Sequence, residues 1–169
     1  AGRVDDALAL ADAGIRSIRA VIHDLRPSLL DDHGLVPALR SVATAFAQRS
    51  GTTVRLNLPA AQEFPVLEDG ADLAFYRALQ EALSNIGRHA GASVVDIALR
   101  CDNGSVTLIV TDNGTGLAFE HNGAVHSGMG LIGMRERFAS LGGSVQLRDK
   151  AGGGAQLEAS LPLDVGITA

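Results

Sequence analysis

The sequence predicts an α+β fold: a two-layer sandwich with a mixed, largely antiparallel sheet, preceded by a helical segment. Three observations predict it. Apolar residues recur every three or four positions over 4–22, 35–48, 69–87 and 131–141, and alternate over 52–58, 94–101 and 106–111. Asp102-Asn103-Gly104 joins two alternating stretches, and Asn and Gly accept the positive φ of a tight hairpin. A chain of 169 residues mixing helices with hairpins fits layers around one core.

The first helix is carried by Val4, Leu8, Ala11, Ile15, Ile18 and Ile22. It ends at Asp24-Leu25-Arg26-Pro27, because a proline disfavours helix at the residue before it. Asp31-Asp32-His33-Gly34 reads as a loop. Leu35, Leu39, Val42 and Phe46 then carry a helix, with Pro37 in its first turn and Gly51 beyond its end. Strand chemistry over 52–58 alternates Val54, Leu56 and Leu58 with Thr53, Arg55 and Asn57. The helix over 69–87 presents Leu73, Tyr76, Leu79, Leu83 and Ile86 on one face. After the central hairpin, 112–129 is loop-rich. The helix over 131–141 stops at Gly142-Gly143, and 145–147 with 156–161 reads as a last hairpin around 150–154. The end of the chain is expected to fray. The organisation expected is a helical region over 1–48, a compact domain over 49–165 and a tail over 166–169.

Composition narrows the function. A net charge of −5 argues against a phosphate-gripping nucleic-acid binder. No apolar run reaches the roughly 20 residues of a membrane span, and no signal-peptide pattern opens the sequence. The single cysteine, Cys101, reads as a small apolar strand residue and fits a reducing compartment, so a cytoplasmic setting without direct membrane contact is expected. Glycine is the outlier: 20 residues, where the usual 7% gives about 12. They cluster at 114–116, 123–133, 142–143 and 152–154, as backbone lying against a ligand or as flexible linker would require.

Three stretches could carry chemistry. Glu81, Asn85, Arg88 and His89 stand at i, i+4, i+7 and i+8, opposite the apolar face of their helix. A solvated face explains them too. So does a site in which one Asn oxygen and phosphate oxygens satisfy Mg²⁺ while Arg88 and His89 balance phosphate charge. Asp112-Asn113-Gly114-Thr115-Gly116-Leu117 follows an apolar strand; it is either a surface turn or an inward carboxylate flanked by bare backbone. Gly128-Met129-Gly130-Leu131-Ile132-Gly133 opens a helix, where free N–H groups favour anions; alone, that pattern is weak.

In series, the three are specific. The stretches LQEALSNIGRHAGAS, TDNGTGL and GMGLIGMRERFASLGGSVQL resemble the ATP-binding domain of sensor histidine kinases. IHDLRPSLLDDHGLVPALRSVA resembles the end of the dimerisation region in those that pair with LuxR/NarL-type response regulators. The resemblance covers about residues 15–163 and implies a Bergerat-type site for ATP and Mg²⁺. It makes Asn85 the magnesium ligand and Glu81 the acid that assists transfer. Arg88 and His89 would meet phosphates, and Asp112 would accept the adenine amino group, with Gly114, Gly116 and Leu117 beside it. Residues 118–127 would form a short lid, and Gly128, Met129, Gly130 and Leu131 would lie at the phosphates. It further implies a homodimer through dimerisation helices and a LuxR/NarL-type regulator as partner.

Two departures stand out. The last glycine cluster usually ends in Thr, and here Gly154 leads into Ala155, so a hydroxyl near the adenine is missing. His23-Asp24 resembles the phosphoacceptor pair, but Leu25-Arg26-Pro27 follows at once and leaves His23 at a helix end. The acceptor is therefore expected upstream of this stretch, and autophosphorylation of this chain alone is not expected. His33, His121 and His126 have no metal spacing and receive no role. A nucleotide-responsive scaffold with little kinase activity is the alternative, favoured by Ala155. A serine kinase of the anti-sigma type is disfavoured by DLRPSLLDDHGL.

Overall fold

The computed structural model describes residues 28–68, 70–117 and 129–163. The helix expected over 4–22, His23, His121, His126, Gly128, the stretch 118–127 and the tail lie outside these residues. In chain order the elements are α1 (Ser28–His33), α2 (Leu35–Ser50), β1 (Thr53–Asn57), a 3₁₀ turn (Ala61–Glu63) and α3 (Ala71–Asn85). A π-helical turn (Ile86–Ala90) continues α3, followed by β2 (Val94–Asp102), β3 (Ser105–Asp112), α4 (Met129–Ser140), β4 (Ser144–Asp149) and β5 (Ala155–Pro162).

The five strands form one mixed sheet in the order β1-β2-β3-β5-β4. β1 runs parallel to β2, and the other three pairings are antiparallel. The parallel pair needs a long crossover, and the chain between β1 and β2 holds α3. Alternation puts Val95, Ile97 and Leu99 of β2, Val106, Leu108 and Val110 of β3, and Leu157, Ala159 and Leu161 of β5 on the buried face. Phe75 and Leu79 of α3 and Met134 and Phe138 of α4 belong to the same core. The Phe75 and Phe138 rings meet edge-to-face at 5.2 Å and 81°, fastening α4 to α3. Leu30, Leu35, Leu39 and Phe46 join that core, so in packing terms residue 48 does not separate two cores.

Three local expectations change. Residues Asp31–Gly34 are not a four-residue loop: 28–33 is helical and only Gly34 breaks the chain, at φ 79° with its N–H bonded to the Leu30 carbonyl at 3.0 Å. Burial of Leu30 anchors that turn. Cys101 lies on β2 as expected but is exposed, because the inward alternation of that strand ends at Leu99. Finally, α4 begins at Met129, which puts Gly130 inside its first turn rather than ahead of it.

Candidate functional site

The end of α3 brings three of the singled-out side chains into one network. Asn85 Nδ2 donates to Glu81 Oε1 at 3.1 Å, and Arg88 Nη2 donates to Asn85 Oδ1 at 2.9 Å. Arg88 also stands 3.8 Å from Glu81 Oε1. A carboxylate below and a guanidinium above fix which way the Asn85 amide faces, with its oxygen toward the cation. Glu81 and Asn85 are half-buried, while Arg88 and His89 are exposed. The π-helical turn follows at once, and at its entry the Ile86 N–H is shared between the Ala82 and Leu83 carbonyls. Such turns widen a helix and recur at functional sites. His89 sits in that turn, outside the network.

The first turn of α4 abuts this network. A Cβ at Gly130 would overlap the Glu81 carboxylate, so the bareness of Gly130 has a partner within the protein. Met129, Gly130 and Leu131 occupy the opening turn, whose N–H groups have no partner within the helix. Leu131 is half-buried and packs against the core.

Asp112 supplies the other side. It ends β3 in phase with Val106, Leu108 and Val110, so the strand's alternation turns it inward, and it is 5% exposed. Both carboxylate oxygens take backbone donors: Oδ1 the Gly114 N–H at 2.7 Å, Oδ2 the Ala155 N–H at 3.3 Å. Each oxygen keeps acceptor capacity for another donor. The glycines around it are close-approach positions. A Cβ at Gly114 would overlap the Ala90 carbonyl, and one at Gly154 the Asp112 carbonyl. The Thr115 N–H bonds that same Ala90 carbonyl at 2.9 Å, which seats the loop 112–117 on the end of the π turn. Leu117 closes the loop and is 38% exposed. Asn85, Gly130 and the loop 112–117 thus gather around the C-terminal part of α3 and its π turn.

Two residues of this frame have no signal in the sequence. Asn113, read as half of an Asn-Gly turn, accepts the N–H groups of Ser93 and Val94 at 3.0 and 2.9 Å and donates to Ser93 Oγ at 3.0 Å. It stitches the end of β3 to the start of β2. Asp149 Oδ1 accepts the Leu117 N–H at 2.6 Å. The bonds of both residues join positions far apart in sequence, where no local period can reveal them.

The described residues contain no group of three or more His, Cys, Asp or Glu able to hold a metal. A hard cation at Asn85 Oδ1 would therefore complete its shell with phosphate oxygens and water, the usual habit of Mg²⁺. The donor set fits that role, since a neutral half-buried oxygen already faces a cation. Two concavities lie away from the site. One, of about 660 Å³, runs along α2 and includes Val36, Arg40 and Pro59. The other, of about 500 Å³, lies over the open face of the sheet, where Arg148 pairs with Glu158 at 3.0 Å.

Comparison with known proteins identifies the family and the fold. Residues 70–165 match the family described as histidine kinase-, DNA gyrase B- and HSP90-like ATPases. The chain is 38% identical over 167 residues to the sensor histidine kinase MctS of Rhizobium johnstonii, covering 94% of this chain and 36% of that protein. It is 30% identical over 161 residues to the signal transduction histidine-protein kinase/phosphatase DegS of Brevibacillus brevis, covering 95% of this chain and 40% of that protein. The chain thus spans well under half the length of these relatives. Among solved structures it superposes on the Acinetobacter baumannii histidine kinase AdeS with a TM-score of 0.64 at 17% identity, over 94% of this chain and 81% of that one. It superposes on the ATP binding domain of PrrB from Mycobacterium tuberculosis with a TM-score of 0.58 at 24% identity, over 75% of this chain and 92% of that one. At such identities the likeness is one of fold, the two-layer Bergerat arrangement. The family match covers more than half of the sequence, and it settles the matter: this chain belongs to the histidine kinase-, DNA gyrase B- and HSP90-like ATPases, and its relatives named here are sensor histidine kinases.

Proposed function

We propose that this chain is the catalytic domain of a sensor histidine kinase. MgATP would bind between the end of α3, the loop 112–117 and the first turn of α4. The observation that carries this reading is the setting of Asp112, a buried carboxylate whose two oxygens are aimed by the backbone N–H groups of 114 and 155. A carboxylate held that way suits the amino edge of adenine, with the loop of Gly114, Gly116 and Leu117 beside it, where the two glycines let the loop pack against the Ala90 carbonyl and Asp149. Asn85 Oδ1 would hold the magnesium ion, which would neutralise phosphate charge. Arg88, now bonded to that oxygen, turns to the phosphates together with His89 and the N–H groups of Met129, Gly130 and Leu131. Gly128 precedes that turn in the sequence. Glu81 orients the acceptor imidazole. An imidazole nitrogen bonds to the γ-phosphorus as the bond to the bridging oxygen breaks, ADP leaves, and the ring proton passes to solvent.

In the whole protein the acceptor histidine lies on dimerisation helices of a homodimer, and a LuxR/NarL-type response regulator takes the phosphoryl group. The domain works in the cytoplasm and contacts neither nucleic acid nor membrane. Among the described residues no helix is long and apolar enough to cross a membrane. The contact that position 155 makes with Asp112 comes from its main-chain N–H, so it does not depend on the side chain that Ala155 lacks.

Thermal unfolding with and without nucleotide tests the reading. A ligand at about 100 times its Kd stabilises by about 2.7 kcal/mol, which for a domain of this size raises Tm by roughly 5–10 °C. MgATP should give that shift and ATP with EDTA a smaller one. No shift with MgATP at millimolar concentration would refute the nucleotide site.

A further inference from the structure

Asp149 Oδ1 accepts the Leu117 N–H at 2.6 Å, a short bond of the charge-assisted kind. The preceding residue, Gly116, has φ 76°, and a Cβ there would stand 2.7 Å from the same oxygen. Asp149 is the last residue of β4 and faces Ala155 across the hairpin. The Ala155 N–H in turn bonds Asp112 Oδ2 at 3.3 Å. The turn between them is closed by the Lys150 N–H on the Gly154 carbonyl at 2.9 Å and the Gly153 N–H on the Lys150 carbonyl at 3.1 Å. The loop 112–117 is therefore tied to the mouth of the β4–β5 hairpin at both ends, through residue 155 at its start and through Asp149 at its finish. The other side of the site, the network of Glu81, Asn85 and Arg88, is built by α3 and its π-helical turn.

We infer that Asp149 is a positioning residue for the nucleoside end of the site, holding Gly116 and Leu117 so that bare backbone lies beside the inward carboxylate of Asp112. The inference rests on the proposed nucleotide site. It predicts a split: affinity for the base depends on Asp149, and affinity for the triphosphate does not. What matters is the acceptor atom, so a carboxamide at 149 can replace the carboxylate.

The test uses Asp149→Ala and Asp149→Asn in the full chain, with amide hydrogen exchange at Leu117 and binding of MgATP and of magnesium inorganic triphosphate. In Asp149→Ala, exchange at Leu117 should quicken by about tenfold or more and MgATP affinity should fall about tenfold, with triphosphate affinity unchanged. Asp149→Asn should restore both quantities to within about threefold. Unchanged exchange in Asp149→Ala, equal loss for both ligands, or an Asn variant as impaired as Ala would each overturn the inference. A wild-type chain that binds no MgATP would instead overturn the nucleotide site and, with it, the role of Asp149 toward the base. The exchange result would still decide whether Asp149 holds Leu117.

Discussion

Gly130 is packed so closely on Glu81 that no side chain fits between the first turn of α4 and the carboxylate one turn before Asn85. The atoms in the way belong to the end of a flexible side chain, so a methyl group at 130 displaces Glu81 rather than unfolding the protein. Alanine also favours helix over glycine by about 1 kcal/mol. Gly130→Ala should therefore leave Tm within a few degrees while parting Glu81 from Asn85. Phosphoryl transfer to a histidine peptide supplied in trans should fall more than MgATP binding does. Full transfer activity in Gly130→Ala would show that the Glu81–Asn85 contact has no part in the chemistry.

The glycines of the last hairpin are not equivalent. Gly152 and Gly154 both have positive φ, 95° and 88°, but a Cβ at 152 meets nothing within 4 Å and one at 154 would overlap the Asp112 carbonyl. Gly152→Ala should cost only the left-handed backbone, about 1–2 kcal/mol. Gly154→Ala adds overpacking against main chain that cannot rotate away, a further 1–3 kcal/mol or so. Urea unfolding of the two variants measures the gap, and equal midpoints would mean that the hairpin does not press on β3.

Much of this arrangement was legible in the sequence, and the limits have physical causes. An inward carboxylate at Asp112 was one of two readings of the end of β3, the other being a surface turn, and its burial decides between them. The 3.6-residue period already put Glu81 and Asn85 on one side of α3. Two features were opaque because they depend on long-range packing. Asp31, Asp32 and His33 are modest helix formers, yet burial of Leu30 holds them in α1. The partners of Asn113 and Asp149 are set by how strands end beside one another, which leaves no trace in spacing. Ala155 shows a third kind of limit. Its sequence signal was a lost hydroxyl, whereas the contact it makes with Asp112 belongs to the backbone.

Asp112 offers a sharper test of base recognition. Asp112→Asn turns one acceptor oxygen into an NH₂ group, which must then face either the Gly114 or the Ala155 N–H, a donor against a donor. Leaving such a buried group unsatisfied costs about 1–3 kcal/mol. Both stability and MgATP affinity should fall, while inorganic triphosphate binds as before to whatever remains folded. Equal loss for ATP and for triphosphate would contradict the assignment of Asp112 to the base.

Asn85 separates metal from nucleotide. Its oxygen is already held by Arg88, so a cation reaching it must displace a guanidinium at 2.9 Å. Asn85→Ala removes the oxygen and frees Arg88 for the phosphates, and because the side chain is only half-buried the fold should persist. Metal-free ATP should then bind about as well as in the wild type, but added Mg²⁺ should no longer strengthen binding. Titrating ATP in EDTA and in excess magnesium, for both proteins, reads this as the ratio of two dissociation constants. A ratio in Asn85→Ala as large as that of the wild type would move the metal away from Asn85. The proposed site would then keep its adenine end and lose its account of magnesium.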